Sequence, residues 1–421
     1  MKRKTALLTF MILAFANVCA YAANVSFKGT TNKNPLEYQL GETVVFTVEC
    51  FEDDKPADGK KLRWVRTGDD GKRETADVVY SAAKPLTIET TIDKPGFVRI
   101  QVFQLDANDE RIGNEHDESL QFNGGAGARI DQIDGFPEPS DFDEFWNRQK
   151  TILDQTPIKA QLDPIDVGDD AVVAYDVKVA CAGLAPVSGY LVMPRNAEPK
   201  SLPARVQYQG YGVYSAGLNV NAGRNQIYFE INAHGILNGQ PDSYYDHLRN
   251  TFLKNYGFPK EGNVDPNSSY WCGVILRALR ALQYVKTLPE WDGEHLSTGG
   301  GSQGGMQCLT VAGLDPDVSE VDAAVPWFCD VSGAEENKRI DSWFMPPWIE
   351  GLGYFDVANH AKRIKAKVSI FAGLGDYVCP PSGEMVLYNS IRSEKKILFR
   401  QGRTHGFEPK TFDDFTLESH E

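Results

Sequence analysis

Leu296-Ser297-Thr298-Gly299-Gly300-Gly301-Ser302-Gln303-Gly304-Gly305-Met306-Gln307-Cys308-Leu309-Thr310-Val311 is the stretch that decides the fold. Its first part leads out of a helix and its turn as a strand, and the run from Met306 continues as a new helix. Ser302 therefore sits where a strand becomes a helix. A serine on such a tight turn is held strained and exposed, and glycine is needed on either side to avoid side-chain collision. Gly300-Gly301-Ser302-Gln303-Gly304 thus marks Ser302 as a nucleophile. Alone the pentapeptide is common, and its flanks separate it from a glycine-rich turn with a solvated serine.

Strands alternate with helices on both sides of this turn, the signature of a mostly parallel sheet covered on both faces. Upstream strand candidates are Val172 to Val179, Gly189 to Val192, Ala204 to Tyr208 and Ile227 to Ile231. Ile275, Leu279, Leu282 and Val285 share one face of a helix expected over Val274 to Leu288, with Pro289 just past its end. Ser140 is the expected N-cap of an earlier helix carrying Phe142, Phe145 and Trp146. Later strands are Val321 to Val325, Lys367 to Phe371 and Lys396 to Phe399, short apolar runs suited to burial on both sides. These elements predict an α/β-hydrolase fold, a mostly parallel doubly wound sheet, over residues 128–421.

A chain of 421 residues is too long for one ordinary domain. From Val25 to Phe122 the pattern is short alternating strands, such as Thr43 to Val48 and Gly96 to Phe103, with a hairpin turn at Asp69-Asp70-Gly71. Residues 23–123 are therefore expected to form a small all-β, immunoglobulin-like sandwich with Trp64 and Tyr80 in core positions. Gly124-Gly125-Ala126-Gly127 reads as a linker. Residues 1–22 read as a signal peptide: Lys2, Arg3 and Lys4 precede an apolar run from Ala6 to Ala16, and Ala20-Tyr21-Ala22 suits cleavage before Ala23. The run is short for a membrane span, so export to the periplasm or the extracellular space is expected, with no membrane attachment after signal removal.

A formal net charge of −15 leaves no basic patch to hold phosphates, which argues against nucleic acid as a partner. Cys50, Cys181, Cys272, Cys308, Cys329 and Cys379 lie far apart without a C-x-x-C pair. Zinc clusters and redox dithiols thus have no support, and buried free thiols are expected.

A serine nucleophile needs a base within hydrogen-bond reach and an acid to fix the base's tautomer, in the chain order Ser, Asp or Glu, His. Only His360, His405 and His420 follow Ser302. His360 falls in a helical context and is expected on a helix surface, and His420 is next to the last residue. His405 stands in a loop after the strand Lys396 to Phe399, where parallel sheets carry their chemistry, and is the expected base. Asp376 follows the preceding strand and is the expected acid, with Asp330 and Asp356 as rivals. The oxyanion requires two backbone N–H donors: Gln303 supplies one, and Tyr211, in Gln209-Gly210-Tyr211-Gly212 after the strand Ala204 to Tyr208, is the candidate for the other.

Together these residues resemble the acetyl xylan esterase and cephalosporin-C deacetylase family of α/β-hydrolases. The resemblance runs from about Phe136 to the end, through Phe136-Pro137-Glu138-Pro139, Phe142-Asp143-Glu144-Phe145-Trp146, the Ser302 motif, Tyr354-Phe355-Asp356, Gly373-Leu374-Gly375-Asp376 and Cys379-Pro380-Pro381. It implies hydrolysis of acetyl esters on xylose-based or related sugars, with Ser302, Asp376 and His405 as triad and Tyr211 and Gln303 as oxyanion donors. Three positions depart from the family's pattern. Gln209-Gly210-Tyr211 stands where the family usually has His-Gly-Tyr, His234-Gly235-Ile236 replaces its Arg-Gly-Gln, and Gly406 stands where a glutamate follows the histidine. The first two lie near the expected pocket and bear on the substrate. The resemblance also implies a homo-oligomer, which an added N-terminal β domain could block or alter.

The expected protein is an exported serine esterase acting on an acetylated carbohydrate, needing no metal or organic cofactor. Its rivals are a serine peptidase of the same fold and a catalytically idle carbohydrate-binding protein.

Overall fold

Eight strands come first: β1 (Val25–Thr31), β2 (Val44–Glu52), β3 (Lys55–Pro56), β4 (Lys61–Gly68), β5 (Glu74–Val79), β6 (Leu86–Thr90), β7 (Gly96–Gln104) and β8 (Gln121–Ala128). The computed structural model describes residues 25–114, 116–183 and 185–419. The expected signal peptide and His420 lie outside them. β6 and β1 flank β2, which also pairs with β3, and a second antiparallel sheet runs β5-β4-β7-β8. Alternate residues of each sheet turn inward, as a half-buried strand requires. Phe46, Val48 and Ile88 of one sheet meet Leu62, Val98, Ile100, Val102 and Phe122 of the other in one core. Tyr80 is buried in that core and Trp64 packs against it, as their positions in the strands predict.

The glycine run is a strand and not a linker. Gly124, Gly125, Ala126 and Gly127 belong to β8, wholly buried and paired with β7 from Ile100 to Phe97. The sandwich therefore extends to Ala128, past the expected boundary at 123. The glycines are there for close approach: a Cβ on Gly125 would lie 2.9 Å from the Leu374 carbonyl oxygen, a backbone atom that cannot give way.

The remaining elements are α1 (Phe142–Asp154), β9 (Ala160–Ile165), β10 (Val172–Val179), β11 (Val187–Pro194), β12 (Leu202–Tyr208), β13 (Ile227–Asn232), α2 (Asp242–Asn250), α3 (Tyr270–Val285), β14 (Trp291–Gly301), α4 (Gln303–Leu314), β15 (Glu320–Ala324), α5 (Gly333–Glu336), α6 (Val357–Ala361), β16 (Lys367–Gly373), α7 (Pro381–Ser390), β17 (Lys395–Arg400) and β18 (Asp414–Ser419). Their sheet runs β18-β17-β16-β15-β14-β12-β13-β11-β10-β9. The six strands from β17 to β13 are parallel, and the remaining pairings are antiparallel. Two helix starts shift from expectation. Asp141, not Ser140, precedes α1, and α3 begins four residues early because the Ser269 side chain accepts from Trp271 N–H.

Among the described residues, helices cover one face of the parallel strands and not both as expected. α1, α3, α4, α6 and α7 contact one another in series, and α3, α4 and α7 pack on the sheet as one layer. Val206, Val321, Val368, Ile370 and Ile397 are buried under it. Their alternates Arg205, Gln207, Asp322, Ser369, Phe371 and Lys396 line an open hollow of about 550 Å3 on the other face. Runs such as Lys367-Val368-Ser369-Ile370 therefore alternate as half-buried strands do.

Sandwich and sheet meet through β8. Gln401, just past β17, donates from Nε2 to the Gly125 carbonyl at 2.9 Å and accepts from Gly125 N–H at 3.0 Å. Truncation by Gln401→Ala strands both buried backbone groups, so the stability of the chain should fall by about 1–3 kcal/mol, read as a lower urea midpoint. An unchanged midpoint would show that this bridge does not hold the two parts together.

Candidate active site

Ser302 joins β14 to α4 with φ 55° and ψ −119°, a conformation non-glycine residues adopt only where their surroundings impose it. The surroundings here are backbone. A Cβ on Gly300 would sit 2.4 Å from the Gly304 carbonyl carbon, and one on Gly304 would sit 2.3 Å from the Tyr208 carbonyl oxygen. The turn is pinned by Ser302 N–H donating to Ala324 O at 2.9 Å and by Trp327 N–H donating to Ser302 O at 3.1 Å.

Ser302 Oγ lies 3.1 Å from His405 Nε2, and His405 Nδ1 lies 2.9 Å from Asp376 Oδ2. Asp376 is wholly buried, and its Oδ1 accepts from Val378 N–H and Cys379 N–H, both at 2.9 Å. These bonds fix the carboxylate, the carboxylate fixes the Nδ1–H tautomer, and Nε2 is left to accept the serine proton. Burial pulls the His405 pKa down, but the hydrogen bond and charge of Asp376 outweigh it, and the net shift is upward from 6.5. Gly406, the next residue, donates its N–H to Glu118 Oε2 of the sandwich at 2.8 Å.

The rivals sit elsewhere. His360 is on α6 as its context predicts, yet it is fully buried rather than on a surface, because α6 lies between α4 and α7 with Phe142 and Trp146 against the imidazole. Burial pushes its pKa down to about 3, and Nε2 is bonded to Tyr354 O. Asp356 caps α6 and accepts from Asp330 and Val331 N–H, while Asp330 pairs with Arg339.

Gln303 is the first residue of α4, where backbone N–H groups have no partner within the helix. The loop holding Tyr211 runs beside the serine turn: a Cβ on Gly210 would be 3.5 Å from Gly301 O. Tyr256, absent from the sequence-level candidates, ties the two together. Its hydroxyl accepts from Gly212 N–H at 2.9 Å and donates to Gln303 Oε1 at 2.8 Å, and its ring stacks on Tyr211 at 4.4 Å. No motif marks it: it precedes Gly257 in an ordinary turn closed by Phe258 N–H on Asn255 O, and only its hydroxyl gives it a role. His234 supports the same loop, with Nε2 on Gly212 O at 2.8 Å and Nδ1 on Tyr270 Oη at 2.7 Å. Burial lowers its pKa to about 4 and keeps it neutral. Gln209 donates to the Tyr214 and Ser215 carbonyls, so it shapes the loop from within. Tyr211 is further enclosed by Phe344, Phe258 and Trp327, with ring centroids at 5.0, 5.6 and 6.0 Å.

Among the described residues, Asp376, Cys379 and His405 bring three metal-ligating atoms within 4.8 Å of one another. Both His405 nitrogens already face partners, and burial pushes the Cys379 thiol far up, which keeps it protonated. The donor set suits proton transfer better than a cation. All six cysteines of the described residues are buried and free.

An acetyl xylan esterase family model matches residues 134–415. Acetyl esterase Axe7A of Xylanibacter ruminicola is 29% identical over 280 residues, a match spanning 63% of this chain and 63% of that protein's length. The acetyl xylan esterase from Paenibacillus sp. R4 superposes with a TM-score of 0.56 at 26% identity, over 67% of this chain and 94% of that one. Acetyl xylan esterase 1 from Thermoanaerobacterium sp. JW/SL YS485 shares the fold with a TM-score of 0.55 at 24% identity, over 67% and 94%.

Two outcomes follow from this geometry. An imidazole placed as His405 is can take the serine proton only when neutral, so kcat/KM for an ester should fall on the acid side through an apparent pKa above 6.5. Asp376→Asn should move that limb to lower pH and cut kcat roughly 10⁴-fold; a limb that stays in place would separate Asp376 from the titration. Tyr256→Phe should lower kcat by about tenfold with a smaller change in KM, because the loop holding Tyr211 and the Gln303 side chain lose their shared tie; an unaltered kcat would exclude that role.

Proposed function

This chain belongs to the acetyl xylan esterase family of carboxylic ester hydrolases, and we propose that it removes acetyl groups from xylan, xylo-oligosaccharides or related acetylated sugars through an acyl-enzyme on Ser302. The observation that carries the proposal is the relay Ser302 Oγ to His405 Nε2 at 3.1 Å and His405 Nδ1 to Asp376 at 2.9 Å, set on a strained strand-to-helix turn.

Ser302 Oγ attacks the acetyl carbonyl while His405 Nε2 takes its proton. The oxyanion accepts from the Gln303 and Tyr211 N–H groups, and Tyr256 keeps the two donors in register. Collapse breaks the acyl C–O bond and expels the sugar oxygen, which takes the proton from His405 Nε2 and leaves as the free hydroxyl. Water, deprotonated by His405, then attacks the acetyl-serine, and collapse releases acetate while His405 returns the proton to Ser302 Oγ. The aromatic side chains crowded around Tyr211 favour a short acyl group.

Residues 25–128 are proposed as an accessory, immunoglobulin-like domain docked on the catalytic domain. Export is also part of the proposal, on the strength of Lys2-Arg3-Lys4 and the apolar run that follows.

The test is a panel of acetylated xylo-oligosaccharides, acyl esters of increasing length and aminoacyl amides. The expected result is preferred cleavage of acetyl esters and a loss of roughly 10⁴-fold or more in kcat on Ser302→Ala. Amide cleavage exceeding acetyl-ester cleavage would replace the esterase with a peptidase, and full activity in Ser302→Ala would remove the acyl-enzyme.

A further inference from the structure

A cleft between the sandwich and the catalytic loops takes no part in the acyl-transfer steps. It has a volume of about 170 Å3 and is lined by Arg99, Gln101, His116 and Glu118 from the sandwich and by Trp343 and Tyr377 from the hydrolase side. Two of its walls adjoin the triad directly. Glu118 holds the N–H of Gly406, the neighbour of His405, and Tyr377 is the neighbour of Asp376.

Trp343 and Phe344 connect this cleft to the acyl site. Their rings lie 5.8 Å apart. Phe344 faces Tyr211 at 5.0 Å on the oxyanion side, and Trp343 meets His116 at 4.4 Å on the cleft side while 55% of its surface stays exposed. A substrate with its acetyl group beside Tyr211 therefore has Trp343 within reach of its alcohol portion.

The lining suits a sugar. Along β7, Val98, Ile100 and Val102 fill the sandwich core, so Arg99 and Gln101 project from the opposite face into the cleft. Arg99 Nε donates to Asn123 Oδ1 at 2.9 Å, and its guanidinium lies 3.9 Å over the Tyr377 ring, which holds it in place. Fixed guanidinium, amide and carboxylate groups provide donors and acceptors for hydroxyls, and the Trp343 ring provides a flat face for a pyranose ring. The volume is below the ~300–1,000 Å3 typical of drug-sized ligands, which fits one ring rather than a longer oligosaccharide.

We propose that the sandwich completes a carbohydrate subsite, in which Trp343, backed by His116 at 4.4 Å, stacks its exposed surface on a sugar ring of the leaving alcohol while Arg99, Gln101 and Glu118 bind its hydroxyls. The inference rests on the esterase function proposed above.

The test compares kcat/KM for an acetylated xylo-oligosaccharide with kcat/KM for 4-nitrophenyl acetate, which has no sugar to bind. In Trp343→Ala the ratio of the two should fall about tenfold or more, mainly through KM on the saccharide. His116→Ala, at an exposed position, should lower the ratio in the same direction and repeats the test should Trp343→Ala fold poorly. Equal losses on both esters, or an unchanged ratio in the folded variants, would overturn the subsite. A wild-type enzyme active on 4-nitrophenyl acetate and inert on every acetylated saccharide would instead overturn the function on which the subsite rests.

Discussion

The hydrogen bond from Ser302 to His405 joins turns 103 residues apart, and every chemical role assigned to this chain depends on it. Sheet topology is what makes it possible. β14, β15, β16 and β17 are neighbours and parallel, so the turns that follow them emerge at one edge of the sheet. Ser302 follows β14, Asp376 follows β16 and His405 lies beyond β17. The strain at Ser302 persists because glycines 300 and 304 let backbone meet backbone where any side chain would collide.

The same constraint extends to the sandwich. β8 lies against the loops that carry Asp376 and His405, with contacts too close for a Cβ: one on Gly375 would sit 2.1 Å from Asn123 O. Gln401 closes both hydrogen bonds of Gly125, and Glu118 holds the residue after His405. The sandwich thus braces the turns that carry Asp376 and His405, and it presents a polar strand face to the cleft beside them. An N-terminal unit that was only tethered would need none of these buried contacts.

The chain discloses some of this in advance, and the difference has physical causes. The serine turn was legible because its mechanics demand glycine at fixed offsets. Asp376 and His405 were legible as polar residues placed after short apolar strands. Tyr256 was not, since its importance lies in a hydroxyl shared between two loops, which leaves no periodic trace. Gly124 to Gly127 misled because glycine serves both flexible links and close packing, and only the Leu374 backbone pressed against them distinguishes the two. His360 misled for a related reason: a five-residue helix between two others has no free face, whatever the polarity of its side chains. That no helix of the described residues covers one sheet face was available in the alternation of Lys367, Ser369 and Lys396 with their apolar neighbours, a pattern that burial on both sides would not need.

The most direct test of the serine relay is the rate at which a fluorophosphonate modifies the enzyme, followed by intact mass and by locating the adduct. A single adduct on Ser302 should form, faster as pH rises through the His405 titration, and His405→Ala should slow its formation by roughly 10³-fold or more. An adduct on another residue, or equal rates with and without the imidazole, would contradict the account.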